Sequence, residues 1–544
     1  MLCAIDSHSV NAAEARWPFD FEDGPPAALK LQGAEVTDDR RQVLTGRQSL
    51  LADFTSSTGD WHEFLRTEEA VTFEKDRRYA VRFNYRFLNA NNEEVPCYCM
   101  LKSRAGKGDV THRHWRWRMP TDWRGEYTGL FQMPHNGGYY LVLGVYKNGA
   151  IVVDDLEIHE TSPNPGAASV EVKTHRTEIP RSARTFEGMR QRDGLDTLLQ
   201  DMLIIVLNEG AGGKANNRKD AIVKDLQPDF VDWNVFGPLA KEYGIRSSSG
   251  GCEYQEYYRN EGDTDPAVRE QTWNNRYRLF GDSGFVTNLQ NTFIADSSWG
   301  QGGYFTCHNG LNWHRHFLET LGRATTKYLA ITQDNIACST FNRIHGCYCK
   351  GCEKQFRIQL KRRFSNADLA QLGLTLADLR DFSARRYIVN YGLIGDDAVA
   401  DPIVREFMKL QYLSGLDAWA DAVKRCKNLA RKQQRALPCG GNQINAWGTW
   451  PYAVAISQFC DFVEIEELVG VKEKMNRRTL QYKVGLASGH HAKPVWVRGP
   501  VTDETREKSP MLSTSWWTVH FAEALDNGGI REFSFHPNGG AFPE

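Results

Sequence analysis

Lys327-Tyr-Leu-Ala-Ile-Thr-Gln-Asp334-Asn335, followed closely by Cys347-Tyr-Cys349-Lys-Gly-Cys352, is the stretch on which the fold turns. Its first part is an apolar run of strand length ending in polar side chains, as expected of a buried strand that opens into a loop. Its second part packs three thiols into six residues. Thiolates this close suit a tetrahedral zinc, which takes soft ligands and does no redox chemistry. A fourth ligand must come from elsewhere, with Cys307 the first candidate and Cys338 the second. A local disulfide or free thiols are the alternative to a metal. Four thiolates leave no open position for substrate, so such a site is structural and pins a loop beside an active site.

Outward from this stretch, strand-like runs alternate with helical ones. Strands are expected at Met202–Leu207, Ile245–Ser248, Tyr328–Thr332, Ala436–Cys439, Phe462–Glu466, Pro494–Val497 and Arg531–Phe535, with helices such as Glu353–Phe364 and Val404–Arg435 between them. This alternation predicts a mainly parallel sheet closed as a (β/α)8 TIM barrel, assigned to residues 195–544 as the catalytic domain. No Gly-x-Gly-x-x-Gly follows the first strand and no phosphate-cradling Gly-Lys-Ser/Thr loop occurs. Both absences argue against a dinucleotide or nucleoside triphosphate fold.

Residues 17–160 have a different texture. Tyr79-Ala-Val-Arg-Phe-Asn-Tyr-Arg-Phe87 and Tyr139-Tyr-Leu-Val-Leu-Gly-Val-Tyr146 alternate with period two, and Lys147-Asn148-Gly149 leads into Ala150-Ile-Val-Val-Asp-Asp-Leu-Glu-Ile158. Asn-Gly between two such runs predicts a β-hairpin. Many short strands with almost no helix predict an N-terminal antiparallel β-sandwich of jelly-roll type. Thr161-Ser-Pro-Asn-Pro-Gly-Ala-Ala-Ser opens a linker over residues 161–194, and residues 1–16 form a tail. The tail lacks a basic n-region and an apolar h-region, while Ala13-Glu-Ala15 has the small-x-small form of a cleavage site. That form points to a secreted or periplasmic protein; plain disorder of the tail is the other reading.

A net charge of −2 over 544 residues gives no global field to draw nucleic acid or an anionic membrane. No apolar run is long enough to span a bilayer. The content of 41% hydrophobic and 25% charged residues is that of an ordinary globular protein. Fifteen Trp, 20 Tyr and 27 Phe supply flat rings, which stack on sugars as readily as they fill cores. Trp115 and Trp117 share one strand face and read either as a sugar platform or as core.

In a parallel barrel the chemistry sits where strands end and loops begin. Asn208-Glu209, Thr332-Gln-Asp334-Asn335, Gly441-Asn442-Gln443, Glu464-Ile-Glu466-Glu467, Arg498 and His536 lie at such ends. Carboxylates at several strand ends are what a general acid and a nucleophile require. Period-two parity puts Glu464 with Glu466 on one face, and Thr332 with Asp334 on the inward face of their strand. Asp334 with Glu466 is the preferred pair, with Glu467 and Glu209 in reserve. Asn208, Asn335, Asn442, Arg498 and His536 are candidate substrate ligands, and Trp299, Trp447 and Trp450 candidate sugar-stacking rings.

Phe19-Asp-Phe-Glu22, Gly46-Arg-Gln-Ser-Leu50 and Val153-Asp-Asp-Leu-Glu-Ile158 resemble the marks of carbohydrate-binding-module jelly rolls. The resemblance implies a calcium ion tying the first and last strands, with Asp20, Glu22 and Asp155 as its ligands. The strand-end Asp334-Asn335, the thiol group and the basic amphipathic helix Glu353-Lys-Gln-Phe-Arg-Ile-Gln-Leu-Lys-Arg-Arg-Phe364 resemble glycoside hydrolase family 42. Its members are retaining β-galactosidases with a clan-A barrel, and its zinc-binding members place a lone Cys before a Cys-x-Cys-x-x-Cys group, as Cys307 stands here. The resemblance also implies a dimer or trimer. The chain departs from the family where it matters: Asp334-Asn335-Ile336 stands where the family reads Asp-Asn-Glu, and Lys493-Pro-Val-Trp-Val-Arg-Gly-Pro500 holds no seventh-strand Glu. The family's proton donor and nucleophile are therefore not at their usual places.

Three functions follow. A glycoside hydrolase acting on a poly- or oligosaccharide would use Asp334 as nucleophile or base and Glu466 as proton donor. A polysaccharide lyase acting on a uronate-containing glycan would instead draw on His308, Tyr304 and Arg498. A glycan-binding protein without turnover is the third.

Overall fold

The computed structural model describes residues 16–89, 97–112, 124–170, 204–207, 224, 230–232, 242–243, 246–249, 255–257, 278–281, 284–291, 295–296, 303–327, 330–333, 347–444, 459–466, 495–498 and 529–534. Contacts divide the chain into two compact units. One comprises Met1–Thr174, Glu256–Leu311 and Arg343–Gln411; the other comprises His175–Gln255, Asn312–Asn342 and Tyr412–Glu544.

The first unit contains two six-stranded antiparallel sheets. Strands β1 (Arg16–Phe19), β3 (Ala34–Thr37), β4 (Ser49–Asp53), β7 (Arg78–Asn89), β10 (Arg124–Gln132) and β12 (Ala150–Thr161) make one sheet. Strands β2 (Leu29–Leu31), β5 (Trp61–Thr67), β6 (Val71–Phe73), β8 (Cys97–Ser103), β9 (Val110–His112) and β11 (Gly137–Tyr146) make the other. Period-two alternation decides which side is buried. In β7, Val81, Phe83, Tyr85 and Phe87 are buried while Arg82, Asn84 and Arg86 are partly exposed. Cys97, Cys99 and Leu101 of β8 are buried at every second position. Phe73 of one sheet meets Tyr79 of the other with ring centroids 4.3 Å apart.

The expected hairpin at Lys147-Asn148-Gly149 is corrected. The turn is there, with Lys147 at φ 52°, but β11 and β12 belong to different sheets. Both strands find their partners elsewhere, β11 with β5, β6 and β8, and β12 with β1, β4 and β7. Turn chemistry fixes a reversal of direction; which strands then pair is decided by where their buried faces must go.

Helices α1 (Leu311–Lys327), α2 (Lys350–Arg363), α3 (Asn366–Gln371), α4 (Ala384–Asn390), α5 (Gly395–Ala400) and α6 (Pro402–Lys432) follow along the chain. Residues 347–411 have their own apolar core, including Tyr348, Phe356, Leu360, Leu369 and Phe407. This region and the sandwich form one unit through paired polar groups. Arg385 donates to the Glu126 carbonyl and to Thr128, both at 3.0 Å, while Arg386 pairs with the Glu126 carboxylate. Arg78 holds the Gly392 carbonyl at 2.7 Å and the Asp397 carboxylate at 2.6 Å. Asn164 reaches Leu372 O at 3.1 Å and the Tyr387 hydroxyl at 3.0 Å. The contact division thus crosses the linear one expected from the sequence, in which residue 160 closed a module and 161 opened a linker. Thr161 is the last residue of β12, Pro165–Ser169 is a 3-10 turn, and Val170 is buried in the core of residues 347–411.

The second unit holds a closed barrel. Strands β13 (Ile204–Leu207), β14 (Phe230–Asp232), β15 (Arg246–Ser249), β19 (Ala330–Gln333), β20 (Cys439–Ile444), β21 (Phe462–Glu466), β22 (Val495–Arg498) and β23 (Gly529–Ser534) run round it in chain order. Each pairs in parallel with the next, and β23 pairs with β13. A small sheet of β16 (Gln255–Tyr257), β17 (Ala295–Asp296) and β18 (Gly303–Phe305) interrupts the sequence between β15 and α1. The sequence pattern overlooks β14, which is only three residues long. It also places the fifth strand on the apolar Ala436–Cys439, whereas the strand begins at Cys439 and runs through Gly-Gly-Asn-Gln-Ile. Glycines disfavour a strand intrinsically, and barrel closure overrides them.

At the N-terminal ends of two strands, Lys427 of α6 and Asp461 form a fully buried ion pair at 2.7 Å. Asp461 also accepts the Cys439 N–H at 2.8 Å, joining the starts of β20 and β21. Among the described residues no helix is long and apolar enough to cross a membrane.

Candidate metal centre and barrel rim

Cys307 lies in the loop before α1, and Cys347, Cys349 and Cys352 lie where the chain enters α2. Cys349 is the N-cap of that helix and accepts the Cys352 N–H. All four side chains are buried and all four sulfurs lie within 4.8 Å of one another. The Cys307 and Cys352 sulfurs are 3.3 Å apart, and those of Cys349 and Cys307 3.5 Å. These distances are far beyond a disulfide bond of about 2.05 Å. They approach the edge of about 3.8 Å that a tetrahedron of 2.3 Å zinc–sulfur bonds requires. None of the four is joined in a disulfide. Among the described residues they are the one group of three or more Cys, His, Asp or Glu able to share an ion.

The cluster is prepared for negative charge. Thr287 N–H donates to Cys347 Sγ at 3.3 Å, and Asn309 Nδ2 donates to Cys352 Sγ at 3.3 Å. Cys352 sits in the first turn of α2, where the helix dipole favours an anion. Burial opposes its ionisation, yet hydrogen bonds from Cys307, Cys347 and Cys349 hold the Cys352 thiol well below its usual range. Cys307 is pushed up chiefly by its hydrogen bonds with the other thiols, and Cys347 chiefly by burial. Cysteine sulfurs bind a cation as thiolates, so metal uptake by such a group releases protons. The donor set fits a soft, tetrahedral metal ion.

The calcium ligands expected in the sandwich are engaged otherwise. Glu22 takes the Arg47 N–H on its two oxygens at 2.9 and 2.8 Å. Asp155 accepts from Thr45 at 3.1 Å and from Asn84 at 2.7 Å, and Asp20 accepts the Glu22 N–H at 2.8 Å. These three carboxylates do not form a group that could share an ion.

The barrel rim is described by its main chain. Strand register aligns Asn442, Glu464, Trp496 and Ile530 in one row across β20 to β23. Two residues on, Glu466, Arg498 and Glu532 form another row, at the last residues of β21 and β22. Thr332, Gly440 and Phe462 align in a third row. In a parallel sheet, residues in one row and those two apart along a strand share a face. Thr332, Asn442, Glu464, Glu466, Trp496, Arg498 and Glu532 therefore share one pleat face, as parity predicted for Thr332, Glu464 and Glu466. A register shift between Asn442 and Ile444 marks a bulge at the C-terminal end of β20, a device that commonly re-aims side chains beside active sites.

Other expected residues are placed differently. His308 is buried and directly follows Cys307, so it belongs to the thiol loop rather than to a barrel strand end. Tyr304 lies in β18, paired with Ala295 in the small antiparallel sheet. Asp334, Glu467, Glu209, Asn208, Asn335, Trp299, Trp447, Trp450 and His536 lie outside the described residues, as do Cys338, Trp115 and Trp117. Sequence reasoning missed Glu532, which stands inside its strand rather than at the end, and only register shows its row. It also missed Thr287, Asn309 and Gln411 around the thiols. Asn309 stands only two residues past Cys307, so its place beside the thiols is marked in the sequence.

No protein-family model matches the chain, that of glycoside hydrolase family 42 included, and no curated protein matches it in sequence. Among solved structures it is similar to a β-galactosidase from Bacillus circulans sp. alkalophilus, at 12% identity and a TM-score of 0.40, over 62% of this chain and 50% of that one. It is similar to an agarase, AgWH50C, at 9% identity and a TM-score of 0.35, over 97% of this chain and 94% of that one. Its likeness to the CBM22-1 xylan-binding domain of Paenibacillus barcinonensis Xyn10C has 13% identity and a TM-score of 0.21, over 26% of this chain and 92% of the domain. The chain thus spans half the length of that β-galactosidase. At these scores the likenesses carry no argument about activity.

Proposed function

We propose that the chain is a carbohydrate-active enzyme that cleaves glycosidic bonds of a poly- or oligosaccharide by two-carboxylate hydrolysis. In this reading the closed parallel barrel is of the (β/α)8 type, and the reaction takes place at the C-terminal ends of its strands. The observation that carries the reading is the row Glu466–Arg498–Glu532, next to the row Asn442–Glu464–Trp496. Carboxylates, a guanidinium, an amide and an indole on one pleat face supply an acid, a base, hydrogen bonds to hydroxyls and a ring for stacking. Glu466 is assigned as proton donor. Asp334, one residue past the described end of β19, is assigned as nucleophile or base, and Glu532 is the carboxylate that register adds. The sandwich is read as a jelly roll and the thiol cluster as structural zinc.

Incubation with neutral and uronate-containing glycans, following reducing ends and ultraviolet absorbance together, tests the reading. Hydrolysis raises reducing ends alone, and Glu466→Gln should lower that rate roughly 10²- to 10⁴-fold. Unsaturated products absorbing in the ultraviolet would overturn it in favour of elimination, and unchanged turnover in Glu466→Gln would remove Glu466 from the mechanism. Metal analysis of the purified chain should find zinc in equal amount to protein.

A further inference from the structure

We propose that Gln411 is the positioning residue of the thiolate metal centre, a side-chain amide that fixes the Cys347 thiol by clamping its main chain. The proposal rests on the metal reading of the cluster.

Cys347 is fully buried and lies in neither helix nor strand, so no regular ladder serves its N–H and C=O. Such groups need partners, because a buried main-chain group left without one loses a hydrogen bond that water would have made. Gln411 of α6, itself buried, supplies both. Cys347 N–H donates to Gln411 Oε1 at 3.3 Å, and Gln411 Nε2 donates to Cys347 O at 3.1 Å. Two antiparallel bonds from one planar amide hold the peptide groups on both sides of Cys347 Cα, as a neighbouring strand would. From elsewhere, Tyr348 N–H donates to Thr287 O at 2.8 Å while Thr287 N–H donates to Cys347 Sγ. The first thiol of the group is therefore held between a main-chain clamp and a side-chain clamp.

The helix brings the amide there for a definite reason. Phe407 and Gln411 are four residues apart on α6 and so lie on one face. Phe407 stacks on Tyr348 with centroids 5.1 Å apart, and Gln411 takes the preceding residue. The Gln411 Oε1 also lies 3.8 Å from Cys352 Sγ, so the same amide faces two of the four thiols. Residues that orient metal ligands without touching the metal typically account for 10- to 100-fold in affinity. Glutamine is the side chain this role needs. A methionine of similar length makes neither bond, and a glutamate accepts but cannot donate, while adding negative charge beside thiolates.

The test uses the full chain with zinc as the probe, its affinity read by competition with a chromophoric chelator, and cobalt(II) as a spectroscopic stand-in. Gln411→Met should bind zinc about 10- to 100-fold more weakly and release it faster, with thiolate-to-cobalt charge-transfer bands that shift from those of the wild type. Gln411→Glu, which keeps the shape, should be weaker still and covers the case in which Gln411→Met does not fold. Tyr387→Phe, which removes buried hydrogen bonds to Asp401 and from Asn164 in the same unit and none to a cysteine, should lower stability and leave zinc affinity unchanged. Zinc affinity at the wild-type level in either Gln411 variant, however far its melting temperature falls, would overturn the role. A wild-type chain that binds neither zinc nor cobalt would overturn the metal reading together with it.

Discussion

The thiol centre and the barrel rim are assembled in opposite ways. Three of the four thiols lie within six residues, and one further chain crossing brings Cys307 to them. The rim takes Asn442, Glu464, Glu466, Trp496, Arg498 and Glu532 from four strands, and what relates them is the register of a closed sheet. A centre built mostly from neighbours in sequence depends on its immediate surroundings. A centre built from register depends on every strand pairing that closes the barrel. The two should therefore fail under different insults.

On the zinc reading proposed above, the largest effect is expected from removing the metal. Structural zinc contributes on the order of 10 kcal/mol of apparent folding energy in small domains, so chelation or Cys349→Ser should unfold residues 347–411. Loss of amide-exchange protection there would show it, and protection that survives chelation would break the comparison at its first term. Second is the ion pair at the strand starts. Asp461→Ala leaves the Lys427 ammonium buried with its carboxylate partner gone and the Cys439 N–H without its acceptor, at a cost of about 3–5 kcal/mol. Denaturant unfolding should record the loss, while zinc affinity stays at its wild-type value.

Third is Glu126, whose sign with pH can be worked out. Burial disfavours its charge, but Arg385, Arg386 and Arg82 prevail and hold its carboxyl below the ordinary 4.5. A carboxyl lowered on folding stabilises above its ordinary value and loses that contribution as pH falls through its folded one. Glu126→Gln should cost about 2–3 kcal/mol at neutral pH, and its stability curve should converge on that of the wild type below pH 4.5. Parallel curves down to acid would remove the network from the account. The smallest effect sharpens the comparison within the first unit. Tyr387 donates to Asp401 at 3.0 Å and accepts from Asn164, so Tyr387→Phe should cost about 1 kcal/mol of stability.

Much of the fold was legible because it is written in periodicity. The alternation along Tyr79–Phe87 gave the buried face of β7, and the apolar runs gave six of the barrel strands nearly in place. The thiol spacing gave the four-cysteine cluster, Cys307 included. The strand that escaped was Phe230–Asp232, three residues without a pattern, and Cys439–Ile444 was displaced because its glycines hide a strand that only its neighbours enforce.

By itself, the sequence determined the chemical inventory and the local geometry: period-two strands, period-3.6 helices, and thiols close enough to share an ion. Tertiary structure alone decided the rest. It sent the turn at Lys147–Gly149 across two sheets instead of into a hairpin, and it joined residues 347–411 to the sandwich through Arg385 and Glu126. It also set Glu532 in the row of Glu466 and brought Gln411 to Cys347. The physical reason is common to all four. Burial and hydrogen bonding between distant segments are settled by which faces meet, and a single chain carries no local mark of the partner its buried polar groups will find.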